Sequence, residues 1–331
     1  MQHEITRRIP LLDEEGKLTQ IGFARRLLPA YRRQDIRAKS RMIRERECYF
    51  IGNPRFAVLL SVSLSGNSSV NSISLADFEA VSVETCTKRR RFFNKSVTMS
   101  EQAENGDTSS FGKHHSIYFK NNHGLRTLVA QVEQFGQEGS FYLRAELSEP
   151  PEESLVTASP CGEAGFRFAQ HQNWMRVQGQ ICYGSEVWVL NPSDSFATLT
   201  WERGTWKPYS TGWICSGSGV TDDGRPFGMH LSSEAQGGVL ENMVFLDGKG
   251  YPLEEISFTR PRGRNKTMPW CIQNAGLDLK FVPLLDVTER IGKEKVRRVY
   301  GHYSGTVTLE NGLACSVVNL VGLAEQTDRK Q

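Results

Sequence analysis

The stretch Trp201-Glu202-Arg203-Gly204-Thr205-Trp206-Lys207-Pro208-Tyr209, with Trp213 just beyond it, holds three of the chain's six tryptophans. A guanidinium and a carboxylate stand between two of the indoles. Aromatic walls with a few convergent polar groups are what a small-molecule pocket needs. Side chains alternate between the faces of a strand, so Trp201 and Arg203 share one face and Glu202 takes the other. The expectation is that Trp201 and Arg203 point into a barrel and Glu202 points outward. An interior Arg needs a carboxylate or a ligand anion to offset its desolvation, and Glu241 and Asp77 are the candidate partners. Arg203 would then either pin the barrel or orient a polar or anionic ligand group bidentately. The expected ligand-binding set is Trp201, Arg203, Trp206, Tyr209, Trp213 and Asn242.

Glu241, Asp77 and Glu79 are the expected acid/base groups. A carboxyl beside tryptophan in a poorly hydrated pocket has a raised pKa and can donate a proton near neutrality. Asp77 and Glu79 have a second reading, as groups that bond backbone at a strand end. His230 and His302 stand singly, and no Ser or Thr forms a nucleophile elbow. His114-His115 and His123 lack metal-ligand spacing, so no metal is expected. No glycine-rich loop follows a strand and opens a helix: Gly217-x-Gly219 and Gly237-Gly238 lack that context, and no nucleotide or other cofactor is expected.

Short β-rich runs separated by polar turns must position these groups. Phe56 to Val62, Val81 to Thr85, Ser116 to Phe119, Thr127 to Val132 and Ser140 to Leu147 read as strands, as do Met175 to Tyr183 and Val187 to Leu190. Glu241 to Leu246, Glu255 to Thr259, Arg297 to Leu309 and Ala314 to Val321 continue the series. Many short strands argue for sandwiches or barrels. Asp222-Asp223-Gly224, Leu246-Asp247-Gly248 and Glu310-Asn311-Gly312 supply turns with Gly available for positive φ. Ser100 to Ser110 reads as a loop. The run Glu149-Pro150-Pro151-Glu152-Glu153 is the best boundary, giving domains of 1–156 and 157–331.

Net charge is +3 over 331 residues. It is uneven: residues 17–46 hold ten Lys/Arg against Asp35 and Glu45. Leu18, Ile21, Leu27, Leu28 and Tyr31 fall near helical spacing there, so this segment is expected to be a docked helix with a wet arginine face. Stacking aromatics do not alternate with the basic residues, which argues against single-strand nucleic-acid binding. No run approaches a membrane span. No secretory signal is visible at Met1-Gln2-His3-Glu4. Seven scattered cysteines without a CxxC pair fit free thiols. A cytoplasmic protein is expected.

Trp201-x-Arg203-Gly204-x-Trp206, the run Leu240 to Gly248, and the ending Gly301-His302-Tyr303-Ser304-Gly305 through Gly322-Leu323-Ala324-Glu325 resemble the bacterial domain-of-unknown-function family 2804. Tyr49 to Asn53 and Leu75 to Glu79 look like its early motifs. The family pattern usually has Gly where Glu202 stands, and an aromatic where this chain has Arg46-Glu47-Cys48 before Tyr49. The resemblance implies distant kinship with lipocalin-like proteins of the AttH and carotenoid 1,2-hydratase type. The expected fold is therefore all-β and mainly antiparallel, with two calycin-like β-barrels side by side and an N-terminal helical segment. The implied function is binding of a small molecule, with cofactor-free hydration, isomerisation or cyclisation. Glycosidic cleavage is an alternative, since indole faces, Arg and paired carboxylates also suit sugar rings. A non-catalytic carrier is another, and an interaction module built on residues 17–46 is the third. A carboxylate-rich wet cleft would favour a sugar, a dry pocket an apolar ligand, and mutually satisfied side chains a carrier. Oligomeric state is not encoded in any of these features.

Overall fold

A computed structural model describes residues 2–91, 96–148, 151–163, 165–206, 212–261, 268–291 and 294–329. The first strands are β1 (Ile9–Pro10), β2 (Gly22–Ala24), β3 (Pro29–Ala30), β4 (Arg44–Gly52), β5 (Phe56–Ser65), β6 (Ser68–Asp77), β7 (Ser82–Arg91), β8 (Val97–Thr98), β9 (Gly106–Phe111), β10 (His115–Asn122), β11 (Leu125–Phe135), β12 (Gly139–Ser148), β13 (Leu155–Cys161), β14 (Gly165–Tyr183), β15 (Glu186–Leu190) and β16 (Phe196–Gly204). The remainder are β17 (Ile214–Val220), β18 (Pro226–Ser232), β19 (Met243–Leu246), β20 (Lys249–Pro252), β21 (Ser257–Thr259), β22 (Trp270–Asn274), β23 (Leu277–Ile291), β24 (Glu294–Thr308) and β25 (Ala314–Arg329).

Two curled antiparallel sheets of lipocalin-like form account for almost all of them. The larger runs β7-β6-β5-β4-β16-β14-β12-β11-β10-β9-β8, with β13, β15 and β2 attached through β14. The smaller runs β20-β19-β18-β17-β25-β24-β23-β22-β21. The expected division at 156/157 falls inside the first sheet, because β13, β14 and β16 all pair within it. The sheets change over between Gly204 and Ile214 instead. The strands on either side of the Pro/Glu-rich run, β12 and β13, both pair with β14 in the first sheet, and composition does not distinguish such a run from a linker between domains.

Residues 17–46 are not a helix. They hold β2, β3, the start of β4 and two 3-10 turns, Arg33–Asp35 and Ser40–Met42. The apolar residues near helical spacing serve another purpose: Tyr31 is buried in the first core, and Leu18, Leu27 and Leu28 pack on it from an extended arm. Tertiary burial of scattered apolar side chains overrides a weak helical periodicity.

Each sheet encloses its own core. Phe119, Phe135, Phe141, Phe168 and Trp201 are within the first, and Trp213, Trp270, Phe281 and Tyr303 within the second. A third cluster lies between the sheets, where Cys48, Phe50, Ala57, Leu59 and Ala76 meet Leu285, Tyr300, Val321 and Leu323. Burial patterns record this sandwich. β10 and β23 alternate buried with exposed residues, as strands with one wet face do. β16 and the first half of β14 are buried on both faces, because the first core covers one face and the second sheet the other. The marked turns form where expected: Asp247 and Gly248 both take positive φ between β19 and β20, and Gly224 and Gly312 do so in theirs.

Candidate functional site

Side chains fill the cores enclosed by the two curled sheets, and a cavity of 680 Å³ lies between the sheets. Its deep end is set by β14 and β16. Arg167 and His171 lie on one face of β14 by period two, and Glu202 lies on the same face of the paired strand β16. A bulge between Gln172 and Met175, with Trp174 at φ 59°, ends this pairing pattern and bends the strand. From the second sheet, β18 contributes His230.

Glu241 arrives on the connection from β18 to β19. Gln236 and Val239 pair across Gly237 and Gly238, both at positive φ, and this tight turn leads into Glu241. The Gln2 side chain grips Leu240 from both directions, donating Nε2 to its carbonyl at 3.2 Å and accepting its N–H at 2.7 Å. On the other side, Asn242 Oδ1 accepts from the Ser232 N–H at 2.6 Å while its Nδ2 donates to the Glu254 carbonyl at 3.2 Å. Glu241 is thus fixed between two anchored neighbours and is fully buried.

A chain of alternating charge crosses the deep end. Arg167 donates Nη1 to Glu241 Oε1, and Nε and Nη2 to Glu202 Oε1 at 2.9 and 2.6 Å. Arg46 Nη1 approaches Glu202 Oε2 at 3.6 Å, and its Nη2 donates to Glu325 Oε1 at 3.1 Å. Arg298 completes the line, donating to Glu325 at 2.7 Å and to Glu289 at 3.1 Å. Burial works to raise the Glu202 carboxyl, but Arg167 and Arg46 outweigh it and hold it below the ordinary range. Glu325 has the same balance and is pulled down to about 2 by Arg46 and Arg298.

Beside this satisfied network lies a group that is not satisfied. His171 and His230 stack with ring centroids 3.6 Å apart and planes inclined by 22°. His171 Nδ1 meets the Thr200 hydroxyl at 3.2 Å, and its Nε2 faces Glu241 Oε2 at 3.9 Å. Among the described residues, neither that nitrogen, nor either nitrogen of His230, nor Glu241 Oε2 has a hydrogen-bond partner. Glu241 Oε1, by contrast, accepts from Arg167 and from the Thr157 hydroxyl at 2.8 Å. Burial, then Arg167, pushes His171 well below its ordinary 6.5; burial, then His171, does so for His230. Both rings are therefore neutral at pH 7, each with one N–H and one basic nitrogen.

Unpaired buried polar atoms need a partner, and a small space adjoins these, where His171, His230, Thr200, Ser216, Arg167 and Glu202 face the apolar Cys48, Phe50, Leu59, Ile214 and Leu323. Among the described residues, His171, His230 and Glu241 are one group whose metal-ligating atoms come within 4.8 Å of one another. Stacked rings keep their lone pairs in nearly parallel planes, so one ion could engage both only if a ring turned. As they stand, the three groups suit a water or a ligand hydroxyl better.

The residues singled out from the sequence divide. Glu241 and Trp206 line the inter-sheet cavity. Trp201 and Arg203 lie on the opposite face of β16, inside the first core. There Arg203 donates to the carbonyls of Ser100, Glu202 and Arg46, lies over the Trp201 ring and faces Glu45 at 3.7 Å. Glu202 does take the other face, as alternation demands, but that face is covered by the second sheet and is only 7% exposed. Trp213 packs on Trp270 in the second core. Asp77 accepts the backbone N–H groups of Glu79 and Ala80, and Glu79 pairs with Arg55 at the surface. Asn242 anchors backbone, and Tyr209 lies outside the described residues. The sequence reading missed Arg167, His171, Arg46 and Arg298, and treated His230 as isolated. Arg167 and His171, four apart in a β-rich run, were the available signal. Their meeting with Glu241 depends on the packing of the second sheet.

The chain belongs to the family described as "Domain of unknown function (DUF2804)", whose model matches residues 2–330. No curated protein matches the sequence. Among solved structures, kievitone hydratase from Nectria haematococca is similar in fold at 11% identity and a TM-score of 0.51, over 86% of this chain and 88% of that one. A protein described as a putative AttH from Nitrosomonas europaea aligns at 12% identity and a TM-score of 0.49, over 87% and 93% of the two chains. No helix among the described residues is long and apolar enough to cross a membrane.

Proposed function

We propose that the inter-sheet cleft binds a polar small molecule and catalyses acid/base addition or removal of water, in the manner of a hydratase. The observation that carries this reading is the unsatisfied set of Glu241 Oε2, His171 Nε2 and the His230 nitrogens. A water between Glu241 and His171 would find a carboxylate oxygen and an imidazole nitrogen within reach; either could accept its proton as its oxygen bonds one carbon of a double bond, while an imidazole N–H of the stacked pair gives a proton to the other carbon as the π bond breaks. Arg167, held by Glu202, keeps the Glu241 carboxylate oriented through its other oxygen.

Glycosidic cleavage fits less well. It needs one carboxyl kept protonated, whereas Glu202 is held ionised by two arginines. A carrier, with every polar group satisfied internally, is opposed by the same four orphaned atoms. The hydratase among the fold neighbours supports the architecture as compatible with such a reaction; the assignment rests on the side chains.

The test is incubation of the protein with a complex metabolite extract, followed by mass spectrometry for species that gain or lose one water. Glu241→Gln should abolish any such conversion while keeping the fold, as judged by its melting curve. No water-mass conversion in any extract, or full conversion by a folded Glu241→Gln variant, would sink the proposal.

A further inference from the structure

Three consecutive arginines end β7, and only the middle one is employed in holding the fold. Arg90 donates to the Ser96 hydroxyl and the Phe111 carbonyl, both at 2.7 Å. Arg89 and Arg91 point to the opposite face and line the inter-sheet cavity. Both are exposed, and no hydrogen bond or ion pair to a described residue occupies either guanidinium. The carboxylates at the deep end are committed: Glu202, Glu241 and Glu325 to the arginine chain, and Glu45 to Arg33 and Arg203. Glu294 is the remaining carboxylate on the cavity wall.

Register fixes how far these arginines are from Glu202 at the deep end of the cavity. Glu202 lies opposite Arg46, Arg46 opposite Ser63, Ser63 opposite Val70, and Val70 opposite Arg89. At roughly 4.8 Å per strand, four steps span about 19 Å along the sheet. The floor between them is lined by Ser61, Ser63, Ser65, Ser68 and Ser72 together with Leu64 and Val70, so it offers a row of hydroxyls interleaved with apolar surface.

Resting on the functional reading above, we infer that the substrate is an elongated polar molecule with an anionic terminus, a phosphate or a carboxylate, gripped by Arg89 and Arg91. Its reacting end reaches Glu241 and His171 while its body crosses the serine floor. Guanidinium forks match both anions bidentately. Two unpaired guanidinia on a concave wall place positive potential at the mouth of the cleft, where it steers an anion inward.

The probes are glucose, glucuronate and glucose 6-phosphate, which share a ring and differ in their charged group. Calorimetric titration of the full chain at low ionic strength should show at least one anion binding tenfold or more tightly than glucose. Which anion does so separates carboxylate from phosphate recognition. That preference should fall at least tenfold in the Arg89→Gln/Arg91→Gln double variant, with an unchanged melting temperature, and persist in Lys88→Gln, whose side chain lies on the other face of β7. Equal binding of all three probes, or anion binding that survives the double substitution, overturns the inference. Glu241→Gln should keep the anion preference. Failure of the water chemistry with the preference intact therefore counts against the reaction and not against the anion subsite.

Discussion

The stacked histidines make a quantitative prediction. Burial holds both well below their ordinary 6.5 in the folded protein. At pH 5.5 the unfolded chain carries protons on both positions and the folded chain carries none. Stability rises with pH wherever the unfolded state binds more protons, so this contribution is intact above 6.5 and is lost as pH falls below it. For one such histidine the loss at pH 5.5 is on the order of 1 kcal/mol, and for two about 3 kcal/mol. With an unfolding entropy of about 2 cal/mol/K per residue and 331 residues, that is a melting-temperature drop of about 4 °C. The assay is calorimetry of the wild type and of His171→Gln/His230→Gln between pH 7 and 5.5. The double variant should lose less, by that margin. His115, lowered to about 4 by burial, and His302, lowered by burial too, titrate in both proteins and cancel in the difference. Parallel losses would refute the reasoning, since they would mean that the rings accept protons in the folded state.

Glu325, pulled from 4.5 to about 2 between Arg46 and Arg298, should make Glu325→Gln less stable by about 3 kcal/mol at pH 7. Because its folded pKa is depressed, the gap between wild type and variant should close as pH falls from 4.5 toward 2, and an unchanged gap there would assign the loss to packing. Arg203→Ala removes a cation that is fully buried against three carbonyls and an indole. A loss of about 3–5 kcal/mol is expected. The thermal shift produced by whichever anionic probe binds should be unaltered, and a selective loss of that shift would return Arg203 to the binding site.

How much of this was legible in the sequence follows from what each pattern reports. Period-two alternation correctly separated Trp201 and Arg203 from Glu202, and Asp-Gly pairs marked turns. Alternation says which residues share a face, not what covers that face. In a one-sheet barrel the outer face of β16 would be wet. Here Ile214, Leu323 and Glu325 of the second sheet close over the region around it. The same fact turned Arg167 and His171 from unremarkable strand residues into the wall of a cleft. The 17–46 helix failed for a related reason, since apolar residues at mixed spacing can dock an extended arm as well as a helix face.

Two carboxylates share Arg167, and their surroundings give them different work. Glu202 accepts two of its bonds through one oxygen and offers the other to Arg46, so it is spent on orientation. Glu241 gives one oxygen to Arg167 and Thr157 and keeps the second free toward His171. A reacting group needs the oxygen left open, and the clamp beside it, Glu202 with Arg46, adjusts how firmly Arg167 holds that group. Glu202→Gly together with Arg46→Phe should therefore retune the reaction or its ligand and leave it in place, whereas Glu241→Gln should end it. Loss of all conversion in a folded Glu202→Gly/Arg46→Phe variant would move the essential carboxylate from Glu241 to Glu202.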